Sequence, residues 1–321
     1  MLFPVRQLAY LAKWQLGSWL GRRRPLQSVI FILDKCNLRC KHCSVYAIGQ
    51  PRIKTLEQIK DELAYCYAAG SRFVDFEGGE LYLWTDKQSD RTYTIDDVID
   101  AAHEIGFWNV TITTNAQLPF DHSHADYIWV SMDGIGQWHD TIRGTGTFSR
   151  LEENIRRYKS AKTAVPVCVN MVINNLNYQG LDETMEYVKY SPFIDGISVN
   201  FHTPFSETEQ LFLDPEIRNN LIDKLIEYKK KGYPIVNTVS GLRAMKMVDG
   251  KTACTDRSCW ITNFIFSDGS RSPKCMGYTH HVCDRCGFSM GGEMRSVWLL
   301  KPDTLLGGLR LRVRREQVYG L

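Results

Sequence analysis

The sequence predicts an α/β fold, a partial (βα)6 barrel of the TIM type followed by a small cysteine-rich metal-binding module. Three observations favour this fold class. From Ser28 onward, short β-rich runs alternate with longer helical patterns, which is typical of βα units around a parallel sheet. A chain of 321 residues suits one such barrel with an appendage. Beyond Gly232 the pattern becomes short, glycine-rich and cysteine-rich, which indicates a second module.

The alternating pattern predicts six strands and the helices that connect them. The strands are expected at 29–33, 73–76, 110–113, 128–131, 167–173 and 196–201. The helices are expected at 55–69, 95–105, 151–159, 181–190 and 215–231, the last with Asp214 as its N-terminal cap. Because a closed TIM barrel has eight strands, this one is expected to be incomplete.

The same pattern divides the chain into an N-terminal amphipathic basic helix (1–27), the barrel (28–234) and the cysteine-rich module with a basic tail (235–321). In the first region apolar residues recur at helical spacing, at Val5, Leu8, Ala12, Leu16 and Trp19. Basic residues accompany them, at Arg6, Lys13 and Arg22 to Arg24. Two interpretations remain open. The helix lies on an anionic membrane surface, or its apolar stripe packs against the barrel and closes the open end.

The composition excludes several classes of protein. With 44% apolar and 23% charged residues, the chain is expected to be a soluble globular protein. A net charge of +3 is too small to indicate a nucleic-acid partner. The apolar runs are shorter than the ~20 residues that cross a bilayer. Ten cysteines, mostly in two clusters and without a cleavable signal peptide, indicate metal ligands in a reducing cytoplasm. We therefore expect a cytoplasmic protein, with peripheral membrane contact left open.

The first cysteine cluster follows the first predicted strand, in a CxxxCxxC spacing formed by Cys36, Cys40 and Cys43. The carboxyl ends of strands are where α/β barrels carry their chemistry. Thiolates suit zinc or iron–sulfur clusters, and three of them leave one iron of a cubane cluster open. Cys66 falls in a helix with an apolar face and is expected to be a core thiol. The alternative is a structural zinc site with His42 as fourth ligand.

Three further motifs come after the next three strands. They are Glu77-Gly78-Gly79-Glu80, then Thr113-Thr114-Asn115, then Ser131-Met132-Asp133-Gly134 running into His139-Asp140-Thr141-Ile142-Arg143-Gly144. Together with the cysteine spacing, and in this order, they resemble the radical SAM superfamily, whose members use S-adenosylmethionine (SAM). The resemblance covers residues 28 to about 210. It departs from the usual pattern at Leu81, where a proline is common, and at His42, where another aromatic residue is common.

The resemblance implies an enzyme that reductively cleaves SAM to a 5′-deoxyadenosyl radical on a [4Fe–4S] cluster held by Cys36, Cys40 and Cys43. It also implies a small reductant protein, ferredoxin or flavodoxin, as electron donor. The cofactor-binding residues carried over are Gly78, Gly79, Glu80, Asn115, Ser131, Asp133, Arg143 and Asn170.

Their implied contacts differ. The GGE motif is expected to contact the methionine amino group, and Ser131 and Arg143 are expected to bind the SAM carboxylate, since a guanidinium can donate two parallel hydrogen bonds. Asp133 is expected to be either a ribose contact or a turn residue. His139 and Asp140 are expected to be structural.

The second cysteine cluster lies near the C-terminus. Its spacing resembles the first part of SPASM or twitch modules, which implies a second, auxiliary [4Fe–4S] cluster on Cys259, Cys275, Cys283 and Cys286. Cys254 is left as a spare thiol. The alternative is a structural zinc site with four cysteine ligands.

The expected substrate is a lipid or isoprenoid at the membrane surface. The cysteine-rich region loosely resembles that of adenosylhopane synthase-type members of the superfamily, and the basic N-terminal helix agrees with such a substrate. The alternative is a peptide-modifying maturase of the SPASM or twitch type. A non-catalytic role for the clusters is disfavoured, because it would need no SAM-binding residues such as Glu80, Ser131 and Arg143.

Overall fold

The computed structural model describes residues 5–45, 49–89, 91–205, 207–252 and 258–304. The strands described there are β1 Gln27–Leu33, β2 Phe73–Gly78, β3 Asp86–Lys87, β4 Thr92–Tyr93, β5 Asn109–Thr114, β6 Tyr127–Ser131, β7 Val167–Ile173, β8 Gly196–Phe201, β9 Met247–Val248, β10 Lys251–Thr252, β11 Thr262–Ile265 and β12 Arg271–Ser272. The α-helices are α1 Val5–Trp19, α2 Leu56–Ala69, α3 Ile95–Ile105, α4 Gln137–Arg143, α5 Thr147–Lys159, α6 Leu181–Tyr190, α7 Pro215–Lys230, α8 Val239–Ala244, α9 Met276–Thr279 and α10 Ser289–Trp298.

A single large sheet, in the order β12-β11-β1-β2-β5-β6-β7-β8, forms the body of the molecule. The strands from β1 to β8 in this order pair in parallel, and so do β11 and β1, whereas β12 runs antiparallel at the edge. The predicted fold class, a partial parallel α/β barrel, is confirmed. The cysteine-rich region does more than follow the barrel, because it contributes β11 to the barrel's own sheet.

The predicted elements agree closely with the structure. Strands β7 and β8 and helices α3 and α6 have the predicted bounds. Asp214 caps α7 as predicted, since its carboxylate accepts hydrogen bonds from the backbone N–H groups of the first turn. Helix α5 begins at Thr147, four residues earlier than predicted. The Asp140 carboxylate explains this earlier start, because it accepts from the amides of Gly146 and Phe148 at 2.7 and 2.8 Å.

The two faces of the sheet differ in polarity. Side chains of one face, such as Ile30, Phe76 and Ile112, are buried against the surrounding helices. The strand register places a polar row on the other face, which lines the barrel interior: Asp75, Thr111, Ser131, Asn170 and Ser198. The carboxyl ends of these strands therefore surround a polar interior.

Helix α1 covers the amino-terminal ends of the strands, opposite the cysteine loop. Trp14 is 7% exposed, packs against Trp260, and donates from Nε1 to the carbonyl of Arg24 at 2.8 Å. Tyr10 donates to the carbonyl of Gly70. The predicted apolar stripe faces the other way, since Val5, Leu16 and Trp19 are 82%, 58% and 55% exposed. Among the described residues, no helix has the length and apolar character needed to cross a membrane.

The three predicted regions remain a prediction. The boundary at residue 235 does not coincide with an edge of the sheet, because Thr262 to Ile265 pair in parallel with Gln27 to Ile30. Cys254 and the basic tail, which begins after Thr304, lie outside the described residues.

Candidate active site

The first cysteine loop leaves the carboxyl end of β1. The sulfur of Cys36 accepts from the amide of Leu38 at 3.4 Å, and the sulfur of Cys43 accepts from the amide of Val45 at 3.4 Å. Cys40 lies between them and is 8% exposed. The amide of Lys41 donates to the carbonyl of Ile142 at 3.0 Å, which ties the loop to α4. The loop is thus folded onto the barrel, with backbone N–H groups directed at two of the three sulfurs.

The charge state of these thiols bears on metal binding. Burial raises the pKa of Cys40 to about 11, against the opposing effect of the nearby Arg143 guanidinium. Burial also raises the pKa of Cys36. Both thiols therefore hold their protons at neutral pH in the protein alone, and a metal that binds them must displace those protons.

Asn115 links the third strand motif to this loop. Its side-chain Nδ2 lies 3.7 Å from the sulfur of Cys36 and donates to Oδ1 of Asn37 at 2.8 Å. Its backbone N–H donates to Oε2 of Glu80 at 2.7 Å. The structure therefore brings Glu80, Asn115 and Cys36, which come from three separate strand ends, into one hydrogen-bonded group.

Glu80 is fully buried and its carboxylate is held from several sides. Besides Asn115, it accepts from the hydroxyl of Thr114 at 2.7 Å and from the amide of Tyr82 at 3.1 Å. Burial raises the pKa of Glu80, and these donors oppose that rise. In this arrangement the carboxylate joins the loops after β2 and β5. Its predicted contact with an ammonium group remains a prediction.

The paired glycines of the GGE motif have a packing role in this structure. A Cβ on Gly79 would lie 2.0 Å from the carbonyl oxygen of Lys35, and one on Gly78 would lie 2.4 Å from that of Leu33. Neither glycine has a positive φ. The loop after β2 therefore lies directly against the start of the cysteine loop, and only glycine allows this approach.

Arg143 lies at the end of α4, beside the cysteine loop. Its Nε donates to Oδ2 of Asp133 at 2.7 Å, and its Nη1 lies 3.8 Å from the sulfur of Cys40. The side chains of Arg143 and Asp133 are 8% and 0% exposed. Burial alone would lower the pKa of Arg143. The negative charge of Asp133 and the nearby thiols have a larger, opposite effect, so this pKa lies above its usual value. The cation is therefore permanent and fixed in position.

Asp133 occupies the centre of a hydrogen-bonded group. Its Oδ1 accepts from the amide of Val172 at 2.9 Å, while its backbone carbonyl accepts from Nδ2 of Asn177 at 2.8 Å. Burial would raise the pKa of Asp133, but Arg143 and the neighbouring histidines hold it below its usual value. With its two oxygens bonded to Val172 and Arg143, Asp133 orients the guanidinium, a role not predicted from the sequence.

Two buried histidines adjoin this group. Burial lowers the pKa of His42 to about 4 and that of His139 to about 3, so both are neutral at pH 7. Nδ1 of His139 accepts from the amide of Asp133 at 3.1 Å, in line with its predicted structural role. Among the described residues, His42 Nδ1 and His139 Nε2 are buried polar atoms without a hydrogen-bond partner. Buried polar atoms of this kind are available to hydrogen-bond a bound group.

Ser131 and Asn170 lie on neighbouring strands and are directly paired in register. Both are partly exposed on the interior face. Oδ1 of Asn170 accepts from Nδ2 of Asn200 at 2.6 Å. These two predicted residues thus lie side by side in the barrel interior, Ser131 on the strand that leads to Asp133 and Asn170 on the next strand.

The residues of this site fit a cluster bound by thiolates and, beside it, the carboxylate of an amino acid. The thiols of the cysteine loop are close enough to one another and to Arg143 for their charges to interact. A buried, permanently charged guanidinium stands next to Cys40, and an amide nitrogen stands next to Cys36. Thiolates are the ligands of iron–sulfur clusters, and a guanidinium is suited to a carboxylate.

The second cysteine group also contains two close pairs. A hydrogen bond from the Cys259 side chain lowers the pKa of Cys275 to about 6, against burial. Cys283 and Cys286 lie on one tight turn, in which the amide of Cys286 donates to the carbonyl of Cys283 at 3.2 Å. The amide of Val282 donates to the carbonyl of Gly277 at 3.0 Å and so connects the two segments. This thiol-only set fits a soft metal centre.

Neither cysteine group is arranged as a site for a single ion. In the part of the chain that the structure describes, no three His, Cys, Asp or Glu side chains converge on one metal position. The ligand sets of both predicted clusters therefore remain predictions. Cys66 is fully buried on α2, as predicted for a core thiol.

Several residues of the site were not predicted from the sequence. Asn37, Thr114 and Asn177 each bond a predicted residue. Asn37 and Thr114 lie inside predicted motifs, which was the available signal, whereas Asn177 lies outside them. Asp75 and Glu77 face the barrel interior, where burial raises the pKa of both, and Asp75 adds to the rise for Glu77. Acidic and apolar residues alternate in this strand, FVDFEG, and that alternation indicates that both carboxylates lie on one face of the sheet.

The structure is thus a partial α/β barrel with a candidate cysteine-based cofactor site at the carboxyl ends of its strands. Residues 30–188 match the family model described as the Radical SAM superfamily. The chain therefore contains a radical SAM domain over these residues and is an enzyme, and this family implies a [4Fe–4S] cluster and SAM. A search of curated proteins finds no match to the chain.

Solved structures with the same fold cover most of the chain. SuiB of Streptococcus suis, bound to the precursor peptide SuiA, superposes with a TM-score of 0.63 at 15% identity, over 93% of this chain and 71% of that one. SuiB bound to S-adenosylmethionine gives 0.63 at 17% identity, with the same coverage. The structure of anSMEcpe with bound AdoMet gives 0.59 at 17% identity, over 88% of this chain and 82% of that one. At these identities the likeness shows the fold.

Proposed function

We propose that this radical SAM enzyme modifies a peptide, with SAM and a catalytic [4Fe–4S] cluster bound at Cys36, Cys40 and Cys43. The observation that carries the SAM site is the position of Arg143, whose Nη1 lies 3.8 Å from the sulfur of Cys40 while Asp133 holds its Nε. When bound, the cluster supplies the electron for reductive cleavage of SAM to a 5′-deoxyadenosyl radical. A small reductant protein, ferredoxin or flavodoxin, is the proposed source of that electron.

The chain's own residues bind and orient the cofactor. Arg143 is proposed to bind the SAM carboxylate, since its Nη1 lies beside the cysteine loop while Asp133 holds its Nε. Asn115 is proposed to act at the other side of the loop, next to Cys36. Ser131 and Asn170 are proposed cofactor contacts on the interior face. The burial of Cys40 and Arg143 helps to exclude water from the site.

A peptide substrate is supported by the solved structures that share this fold. SuiB was solved with the precursor peptide SuiA, and anSMEcpe was solved with the Kp18Cys peptide. The match to SuiB extends over 93% of this chain and so includes the cysteine-rich region. The partly exposed polar row inside the barrel, which includes Ser131, Asn170 and Asn200, offers hydrogen-bonding groups suited to a peptide backbone.

The second cysteine group is proposed to bind an auxiliary [4Fe–4S] cluster through Cys259, Cys275, Cys283 and Cys286. The close contact of Cys259 with Cys275 and the shared turn of Cys283 and Cys286 support this assignment. The parallel pairing of β11 with β1 supports a position of this group against the barrel rather than apart from it.

A lipid-like substrate at a membrane is the second candidate, and one observation favours it. The outward face of α1 exposes Val5, Leu8, Leu16 and Trp19, and the neighbouring Arg22, Arg23 and Arg24 are also exposed. An apolar face with basic neighbours suits an anionic bilayer surface. The peptide proposal is preferred, because solved structures that share this fold contain bound peptides.

One experiment separates the two substrate classes. The anaerobically reduced, reconstituted enzyme is incubated with SAM and with either a peptide extract or a membrane lipid extract, and the products are analysed by mass spectrometry. The peptide proposal predicts 5′-deoxyadenosine together with mass-shifted peptides that are absent when SAM is omitted. Mass-shifted lipids with unchanged peptides would contradict it. The Arg143→Ala variant is the control for SAM-dependent products.

A further inference from the structure

One buried cation lies outside the SAM site and has no acidic partner in the part of the chain that the structure describes. Arg218 on α7 is 0% exposed, and its guanidinium stacks over the ring of Phe201 at 5.0 Å. Its Nη2 donates to the carbonyls of Met245 and Cys286 at 2.6 and 2.7 Å. Among the described residues, Nε and Nη1 have no hydrogen-bond partner, and no carboxylate forms a salt bridge with this side chain.

An unpaired buried charge is unfavourable, so a compensating anion is expected close by. The guanidinium keeps its proton in proteins. Its Nη2 bonds the backbone carbonyl of Cys286, so the second cysteine group lies directly beside this charge. Thiolates that bind a metal there would supply the missing negative charge.

The segment around Cys286 is held firmly in this position. Its carbonyl also accepts from the hydroxyl of Thr252 at 2.9 Å. The following Gly287 donates to the hydroxyl of Thr203 at 2.9 Å, and a Cβ on it would lie 1.9 Å from the carbonyl oxygen of Phe201. Arg218 and Cys286 are thus fixed relative to each other by the end of β8.

We propose that Arg218 balances the negative charge of a four-thiolate iron–sulfur cluster at the second cysteine group and raises the reduction potential of that cluster. This inference rests on the auxiliary cluster of the proposed function. Reduction adds a negative charge to the cluster, and a fixed positive charge nearby favours the reduced state. Net charge and hydrogen bonding around the sulfurs are known determinants of such potentials. Arg218 is a positioning residue in this role.

The test uses full-length protein with Cys36, Cys40 and Cys43 replaced by Ala, so that only the second cluster is observed. Arg218→Gln removes the charge and retains an amide donor, whereas Arg218→Lys retains the charge. The control is Lys224→Gln, on the same helix, where the cation is exposed and paired with Asp182 at 2.6 Å. Each protein is reconstituted anaerobically, its iron is quantified, and its midpoint potential is measured by potentiometric titration followed by electron paramagnetic resonance.

Arg218→Gln is expected to lower the midpoint potential by at least the ~59 mV that corresponds to a tenfold change for one electron. Arg218→Lys is expected to lower it less, and Lys224→Gln is expected to leave it unchanged. An unchanged potential in Arg218→Gln, at full iron content, would overturn the role of Arg218 and leave the cluster in place. If the parent protein binds no iron, the auxiliary cluster is not present, and the proposed role of Arg218 is overturned together with it.

A second measurement tests the proposal when a variant takes up little iron on reconstitution. The melting temperature is measured for the apo and the reconstituted forms of each protein. Arg218→Gln is expected to show a smaller rise on reconstitution than the parent, because its apo form no longer holds an unbalanced buried charge. An equal rise in both proteins would contradict the proposal.

Discussion

Arg143 and Asp133 form a buried ion pair, in which Nε donates to Oδ2 over 2.7 Å. The pair joins the end of α4 to the end of β6 and leaves the Nη1 of Arg143 3.8 Å from the sulfur of Cys40. A flexible arginine would lose conformational entropy on binding a carboxylate, but this one is already fixed. The ion pair therefore prepares a cationic contact beside the cysteine loop.

Replacing Arg143 by Lys is expected to weaken SAM binding although the charge is kept. An ammonium cannot bond Asp133 and a carboxylate in the planar geometry that a guanidinium offers. Hydrogen bonds of charged groups are worth roughly 1.5–3 kcal/mol, so a loss of about tenfold or more is expected. Equilibrium SAM binding to the reconstituted protein is the measurement. Arg156→Lys, an exposed substitution, is the control, and equal affinity in both variants would remove Arg143 from the site.

Replacing Asp133 by Asn is expected to lower both the stability of the protein and its affinity for SAM. Loss of one partner from a buried ion pair costs about 3–5 kcal/mol in free energy of unfolding. Urea unfolding at pH 7 and SAM binding measure the two effects. If Asp133 were mainly a ribose contact, the variant would lose affinity at unchanged stability. The exposed pair of Asp223 with Lys246 offers the control Asp223→Asn, for which little change is expected.

Glu293 is expected to make stability depend on pH. Burial raises its pKa from 4.5 to about 7, although Thr238 donates to it from its amide and hydroxyl at 2.8 Å. The folded state therefore binds a proton that the unfolded state releases, so the contribution of Glu293 to stability is greatest below pH 4.5 and falls as the pH rises to about 7. Glu293→Gln is expected to remove this fall, on the order of 3 kcal/mol. Chemical unfolding between pH 5 and 8 measures it, and parallel curves for both proteins would contradict the assignment.

The local patterns of the sequence predicted the parallel strands and most helices, because alternation and helical spacing report directly on burial. They did not predict that β11 joins β1, since Gln27 and Thr262 are far apart in the chain and no local pattern records their pairing. Spacing also identified the GGE motif without revealing that donors from β5 surround Glu80. On α1, the sequence indicated one apolar stripe, and only the fold shows that Tyr10 and Trp14, which lie outside that stripe, pack inward.

The outward face of α1 provides a test of the membrane candidate. Leu16→Ser combined with Trp19→Ser removes exposed apolar groups without touching the packed face, so thermal stability should not change. If the candidate is right, wild-type protein floats with anionic vesicles at low salt, with each basic residue contributing about 1 kcal/mol, and the double variant floats less. Tyr190→Ser, at another exposed position, is the control. Failure of the wild type to float would rule out this contact.

The proposed function depends most on the cysteine loop after β1, and replacing Cys36, Cys40 and Cys43 together by Ala tests it directly. The measurement is the formation of 5′-deoxyadenosine from SAM by the reduced, reconstituted protein, with the iron content determined on the same sample. We expect no 5′-deoxyadenosine and a fall in iron by about half, since the second cysteine group has its own ligands. Undiminished SAM cleavage, or loss of all iron, would contradict the proposed function.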